Sequence, residues 1–211
     1  MKLYIKNNYN SKNENSEALA KKVLALYMNE KETSASFDAE DFLIERTLKG
    51  KPYLAKVPAT NENSVGLDSI HFSISHTDDL WACIVSENNL GLDIQCAKER
   101  TNMEAVAKRF FGEDEQKYVE EAFSRGQREG ETAFYRVWTG REAYAKYTGE
   151  GFFGESLKKF SVVKVSNIKC FVLNDLLTCE TVKDGKARAL YCSICIEEDE
   201  DTAREVEIVE L

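Results

Sequence analysis

Ile70-His71-Phe72-Ser73-Ile74-Ser75 alternates apolar and polar side chains one for one. A strand has a side-chain period of two, so Ile70, Phe72 and Ile74 share one face and His71, Ser73 and Ser75 the other. Asp78-Asp79 reads as a turn, and Leu80 to Val85 as the return strand of a hairpin. Asn88-Asn89 turns the chain again, and Leu90-Gly91-Leu92-Asp93-Ile94-Gln95 alternates as a third strand.

Upstream, Leu19, Val23, Leu26 and Tyr27 follow helical spacing, which predicts a helix over Ser16 to Tyr27 with Ser16 capping its start. Downstream, Met103 to Phe111 has helical spacing, Tyr118 to Phe123 extends a helical region, and Ala133 to Lys146 is a further helix closed by Gly149 and Gly151. Ser124 to Glu131, with Gly126 and Gly130, reads as a loop. Phe160 to Val165, Lys169 to Leu173, Leu190 to Ile196 and Val206 to Val209 read as strands. Each half has helices first and antiparallel strands after. The expected fold is therefore α+β, with two similar lobes in one chain, 1–96 and 97–211, and a cleft between them.

The chain has 211 residues, 43% of them hydrophobic and 31% charged, with a formal net charge of −9. That size supports a sizeable core. The acidic balance argues against non-specific nucleic-acid binding, which needs Lys and Arg in excess, and against a polybasic membrane surface. No apolar run approaches membrane-spanning length, and residues 1–8 lack the apolar stretch of a signal peptide. Six cysteines, several within apolar stretches, read as reduced thiols of a cytoplasmic protein. Cys192 and Cys195 have the spacing of a zinc half-site without partners, and alternation sets them on opposite faces of a strand.

Three segments carry candidate chemistry. Asp93 and Gln95 share a strand face on which Gly91 leaves room for a ligand; a carboxylate and an amide oxygen there make either a hard-cation site or a solvent-facing polar edge. In Trp138-Thr139-Gly140-Arg141-Glu142-Ala143-Tyr144-Ala145-Lys146, Glu142 and Lys146 share a helix face and Arg141 adjoins them. That set either holds a metal and a pyrophosphate or is an ordinary ion pair with a capping box from Thr139 to Glu142. Ser75 and His76 at a strand end can donate to a phosphate, as can Lys51 in Gly50-Lys51-Pro52. A serine hydrolase is disfavoured, because no Gly-x-Ser-x-Gly elbow is present.

In this order the segments resemble the surfactin-synthetase type of the 4′-phosphopantetheinyl transferase superfamily. The resemblance runs through Gly50-Lys51-Pro52-Tyr53, Phe72-Ser73-Ile74-Ser75-His76-Thr77 and Gly91-Leu92-Asp93-Ile94-Gln95. It continues in Ala107-Lys108-Arg109-Phe110-Phe111 with Glu115, and ends in Trp138 to Lys146 with Gly149-Glu150-Gly151-Phe152, covering roughly residues 50 to 155. Each motif alone is weak; all five in order are specific.

The resemblance implies transfer of the phosphopantetheine arm of coenzyme A to a serine of an apo acyl- or peptidyl-carrier protein, with Mg²⁺ as cofactor and coenzyme A as co-substrate. It implies Asp93, Gln95 and Glu142 as metal ligands, and Lys51, Ser75, His76, Arg141 and Lys146 as coenzyme contacts. Glu142, Glu115 and Lys146 are the implied catalytic residues, with Glu142 or a metal-bound water the first choice of base and Glu115 the second. The family's Glu is Gln95 here, and its Lys is Arg141. A single-chain cleft further implies a monomer. Carrier docking is expected on Lys108, Arg109, Lys117, Arg125, Arg128 and Arg136. The competing reading is a non-catalytic coenzyme A- or nucleotide-binding module.

Overall fold

The structure is a computed structural model that describes residues 1–32, 35–56, 70–98, 102–164, 168–172, 181–183, 186–197 and 206–211. It is mixed α+β, with largely antiparallel sheets and packed helices. The chain divides into two compact units: residues 1–90 together with 199–211, and residues 91–198.

The first unit contains strand β1 (Lys2–Lys6), helix α1 (Ser16–Lys31), strands β2 (Leu43–Arg46) and β3 (Pro52–Lys56), and the hairpin of β4 (His71–Thr77) and β5 (Leu80–Ser86). β5 is buried at every residue, lying between β1 and β4 with α1 packed on it. It pairs antiparallel with β4 and β1, as alternation predicts for the β4–β5 hairpin. Asp78 occupies the turn with φ of 48°.

α1 runs past the expected end at Tyr27 to Lys31. Its cap is Asn15, whose side chain accepts from the backbone N–H of Glu17 and Ala18 at 2.9 and 3.2 Å. Ser16, the expected cap, instead accepts a 2.7 Å hydrogen bond from the indole of the fully buried Trp81. That bond satisfies the one polar atom Trp81 takes into the core.

The second unit contains strand β6 (Leu90–Cys96), whose first residue belongs to the first unit, and helices α2 (Met103–Phe110), α3 (Glu113–Arg125), α4 (Gln127–Thr148) and α5 (Glu155–Lys159). Strands β7 (Ile168–Val172), β8 (Thr181–Lys183), β9 (Lys186–Arg188) and β10 (Leu190–Glu197) follow. The sheet order is β6-β10-β7, and α4 packs on β10 and β7. Its core joins Phe111, Phe134, Val137 and Tyr191, with the Tyr135 and Tyr191 rings stacked 4.7 Å apart.

Two sequence expectations in this unit are corrected. The loop over Ser124 to Glu131 is only a break at Gly126, with helix on both sides. Gly130 lies inside α4 because a Cβ there would sit 2.1 Å from the Phe123 ring; it is a packing notch and not a loop signal. Phe160 to Val165 is not a strand over its described part, 160–164. Phe160 is apolar because its ring stacks on Tyr144 at 3.7 Å. Val165 and Leu173 lie outside the described residues.

The C-terminal strand β11 (Glu207–Glu210) belongs to the first unit and pairs with β1, in parallel rather than antiparallel sense. No helix among the described residues is long and apolar enough to cross a membrane. Cys83, Cys96, Cys192 and Cys195 are all buried, and burial pushes the Cys83 and Cys192 thiols well up from their usual range.

Candidate functional site

In the second unit β6 runs directly against α4. A Cβ at Gly91 would stand 2.0 Å from the carbonyl oxygen of Ala143 and 2.5 Å from the backbone nitrogen of Tyr147. The space that glycine leaves is thus filled by helix backbone, which corrects the expectation that it admits a ligand. Glycine serves here by letting two backbones meet.

The close approach carries Asp93, two residues on and on the same strand face, to α4. Asp93 is 7% exposed, and the Lys146 ammonium donates to its Oδ1 at 2.8 Å. Glu142, one helical turn before Lys146, is half-buried. Its carboxyl is pushed up to about 7, first by burial and then by the negative charge of Asp93, with Lys146 opposing. Two carboxylates and one ammonium therefore converge from residues far apart in sequence. The same two charges, Asp93 and Lys146, are felt by Cys192 on the neighbouring β10. Gln95, two residues after Asp93 on β6, is half-buried, with its amide Nε2 donating to the carbonyl of Cys96 at 3.0 Å.

A carboxylate whose proton affinity is raised by burial and by a neighbouring carboxylate forms a site that a divalent cation would relieve. Mg²⁺ binds through one or two carboxylates, substrate phosphates and water, so this donor set fits it. It does not fit a metal held by protein alone: among the described residues no group of three or more His, Cys, Asp or Glu side chains is arranged to hold one.

Arg141 and Glu115 are brought together with each other. Glu115 is 0% exposed, and its Oε2 accepts from Arg141 Nη1 at 2.8 Å and from the backbone of Gly112 at 2.9 Å. Its Oε1 accepts from the backbone of Val162 at 2.9 Å. Arg141 also donates to the carbonyls of Leu157 and Phe160, at 3.2 and 3.4 Å. Spacing gave no signal of this pairing, which joins α3 to α4 across 26 positions.

The other expected coenzyme contacts lie in the first unit. Ser75 is buried opposite Ala82, while His76 is exposed with its ring 5.5 Å from that of Tyr9. Lys51 donates to Asn89 Oδ1 at 3.0 Å, and burial lowers its pKa. His71, lowered by burial and then by the charge of Lys51, stands near it, a neighbour that sequence reasoning did not single out.

Comparison with known proteins matches residues 89–195 to a family model described as the 4′-phosphopantetheinyl transferase superfamily. The match begins just before β6 and ends within β10, so it covers nearly all of the second unit. The chain is 31% identical over 114 residues to 4′-phosphopantetheinyl transferase gsp of Aneurinibacillus migulanus, covering 54% of this chain and 41% of that protein. It is 30% identical over 112 residues to 4′-phosphopantetheinyl transferase psf-1 of Bacillus pumilus, covering 53% and 42%. With 4′-phosphopantetheinyl transferase Sfp of Bacillus subtilis strain 168 it shares 28% over 125 residues, 59% and 49% of the two chains. Each alignment therefore spans less than half of the relative.

Proposed function

The chain belongs to the 4′-phosphopantetheinyl transferase superfamily, and from that premise we propose that it moves the 4′-phosphopantetheine group of coenzyme A to a serine hydroxyl of an apo acyl- or peptidyl-carrier protein. The observation that carries this reading is the meeting of Asp93, Glu142 and Lys146 in the matched region.

The serine oxygen attacks the β-phosphorus of the coenzyme's diphosphate. The bond from that phosphorus to the bridging oxygen breaks, adenosine 3′,5′-bisphosphate leaves with the electron pair, and the hydroxyl proton passes to a base. Both the attacked group and the leaving group are anionic, so the site must supply positive charge and in-line positioning. Asp93 and Glu142 would hold Mg²⁺, with the Gln95 amide oxygen as a neutral third donor, and the ion would supply charge against the diphosphate oxygens. Lys146 is the protein's own cation there, held in place by Asp93. Glu142 is the protein group assigned to receive the serine proton.

Lys51, Ser75 and His76 are assigned to the 3′-phosphate and diphosphate end of the coenzyme. The two units, each with helices against a mainly antiparallel sheet, are read as duplicated lobes. The test is incubation with coenzyme A, Mg²⁺ and a panel of apo-carriers, followed by intact mass. A phosphopantetheine increment on a carrier supports the reading. Coenzyme A binding with no increment on any carrier supports a non-catalytic module instead.

A further inference from the structure

Arg141 sits on α4 immediately before Glu142, yet its guanidinium is committed elsewhere. It is 7% exposed, and three acceptors take its terminal nitrogens: the Glu115 carboxylate and the carbonyls of Leu157 and Phe160. Among the described residues its Nε has no partner. Glu115 is equally committed: both carboxylate oxygens are in use, and three segments meet on them. These are the start of α3 at Gly112, the middle of α4 at Arg141, and the chain beyond α5 at Val162.

We propose that Arg141 is a positioning residue, and that its buried pair with Glu115 sets the rotation of α4 from which Glu142 and Lys146 reach Asp93; the proposal rests on the transferase reading above. An α-helix turns about 100° per residue, so fixing the azimuth of residue 141 fixes that of 142 and 146. The clamp acts from the α3 side of α4, while Gly91 lets β6 close on it from the strand side. Lysine, which the resembled family carries here, keeps the charge but has its three donors on one nitrogen, so in this chain it cannot reach the Glu115 carboxylate and both carbonyls as the planar fork does. The same geometry takes Arg141 out of contact with the diphosphate. It also takes Glu115 out of the role of base, because a carboxylate with no exposed surface and three N–H donors has no route to a substrate proton.

The test compares wild type with Arg141→Lys and with the neutral pair Glu115→Gln/Arg141→Met. The readouts are kcat and KM for coenzyme A in carrier transfer, Mn²⁺ binding by electron paramagnetic resonance in the presence of coenzyme A, and thermal melting. The expected result is a kcat lower by about a hundredfold with KM for coenzyme A changed by less than about twofold. Mn²⁺ affinity is expected to fall by about tenfold or more. A KM that rises while kcat holds makes Arg141 a coenzyme ligand and overturns the proposal. So does a folded neutral pair with wild-type kcat and Mn²⁺ affinity. Should the double variant melt below assay temperature, Arg141→Lys, which keeps the charge, decides alone by the same split. A wild type that binds Mn²⁺ but transfers to no carrier sinks the transferase reading and leaves the positioning claim to the Mn²⁺ comparison. A wild type that does neither overturns both.

Discussion

The ammonium of Lys146 lies 2.8 Å from Asp93 Oδ1, an ion pair that ties a helix to a strand 53 residues earlier. Asp93 is almost wholly enclosed, so the pair lies largely out of water. Breaking one partner of such a pair strands the other charge.

Asp93→Ala is therefore expected to reduce turnover by roughly a thousandfold, the loss of about 4 kcal/mol of transition-state stabilisation. Transfer kinetics at fixed Mg²⁺ check it. Turnover near the wild-type value would remove Asp93 from the site.

Glu142 gives a pH dependence with a definite sign. Its carboxyl is raised to about 7 from an ordinary 4.5, so the folded protein holds a proton that the unfolded chain has released. Stability without metal falls as pH rises from 4.5 to 7, and the penalty is complete above that range. Glu142→Gln is expected to gain about 1–3 kcal/mol at pH 8 and little near pH 4.5, read from melts at both values. Because a cation must displace that proton, Mg²⁺ affinity of the wild type should rise with pH through about 7. Equal affinity at pH 6 and pH 8 would contradict this.

Gly91→Ala sets a methyl group against the α4 backbone. The expected cost is about 1–3 kcal/mol of stability, together with a loss of turnover out of proportion to it, since Asp93 is pushed from Glu142 and Lys146. Denaturant unfolding and transfer kinetics on the same preparation separate the two effects. An unperturbed enzyme would mean that the backbones do not meet as described.

His76→Ala should raise KM for coenzyme A more than it lowers kcat. The effect should shrink when 3′-dephospho-coenzyme A replaces the natural co-substrate. An equal loss with both co-substrates takes the 3′-phosphate away from His76.

Gln95→Glu should lower the Mg²⁺ concentration needed for half-maximal activity, because a carboxylate attracts the ion more than an amide does. An unchanged midpoint places residue 95 outside the metal's coordination.

The hairpin of β4 and β5 and the strand β6 were legible because alternation is local: His71 to Thr77, Leu80 to Ser86 and Leu90 to Cys96 follow the predicted segments closely. Glycine was read by one rule where two operate. Gly149 ends α4 in a left-handed conformation with φ of 72°, whereas Gly130 and Gly91 are glycine because something packs against them. A sequence does not distinguish a conformational glycine from a steric one, since the neighbour responsible lies elsewhere in the chain. The candidate site has the same character. Asp93, Glu142 and Lys146 were each legible as candidates, but spacing alone favoured an ordinary ion pair at 142 and 146. Only the docking of β6 on α4 joins them. The partnership of Arg141 with Glu115 left no local trace at all.

The parallel pairing of β11 with β1 has a consequence for how the chain is made. β1 leaves the ribosome ahead of the whole second unit, and β11 follows it. Throughout synthesis of some two hundred intervening residues, the outer edge of Lys2–Lys6 waits for its neighbour with its backbone donors and acceptors open. The nascent first unit is thus a sheet with one seam unsewn until Glu207–Glu210 arrives, and the charges of Lys2 and Lys6 discourage strangers there. A substitution that disturbs Glu207–Glu210 therefore acts on a strand made long before it.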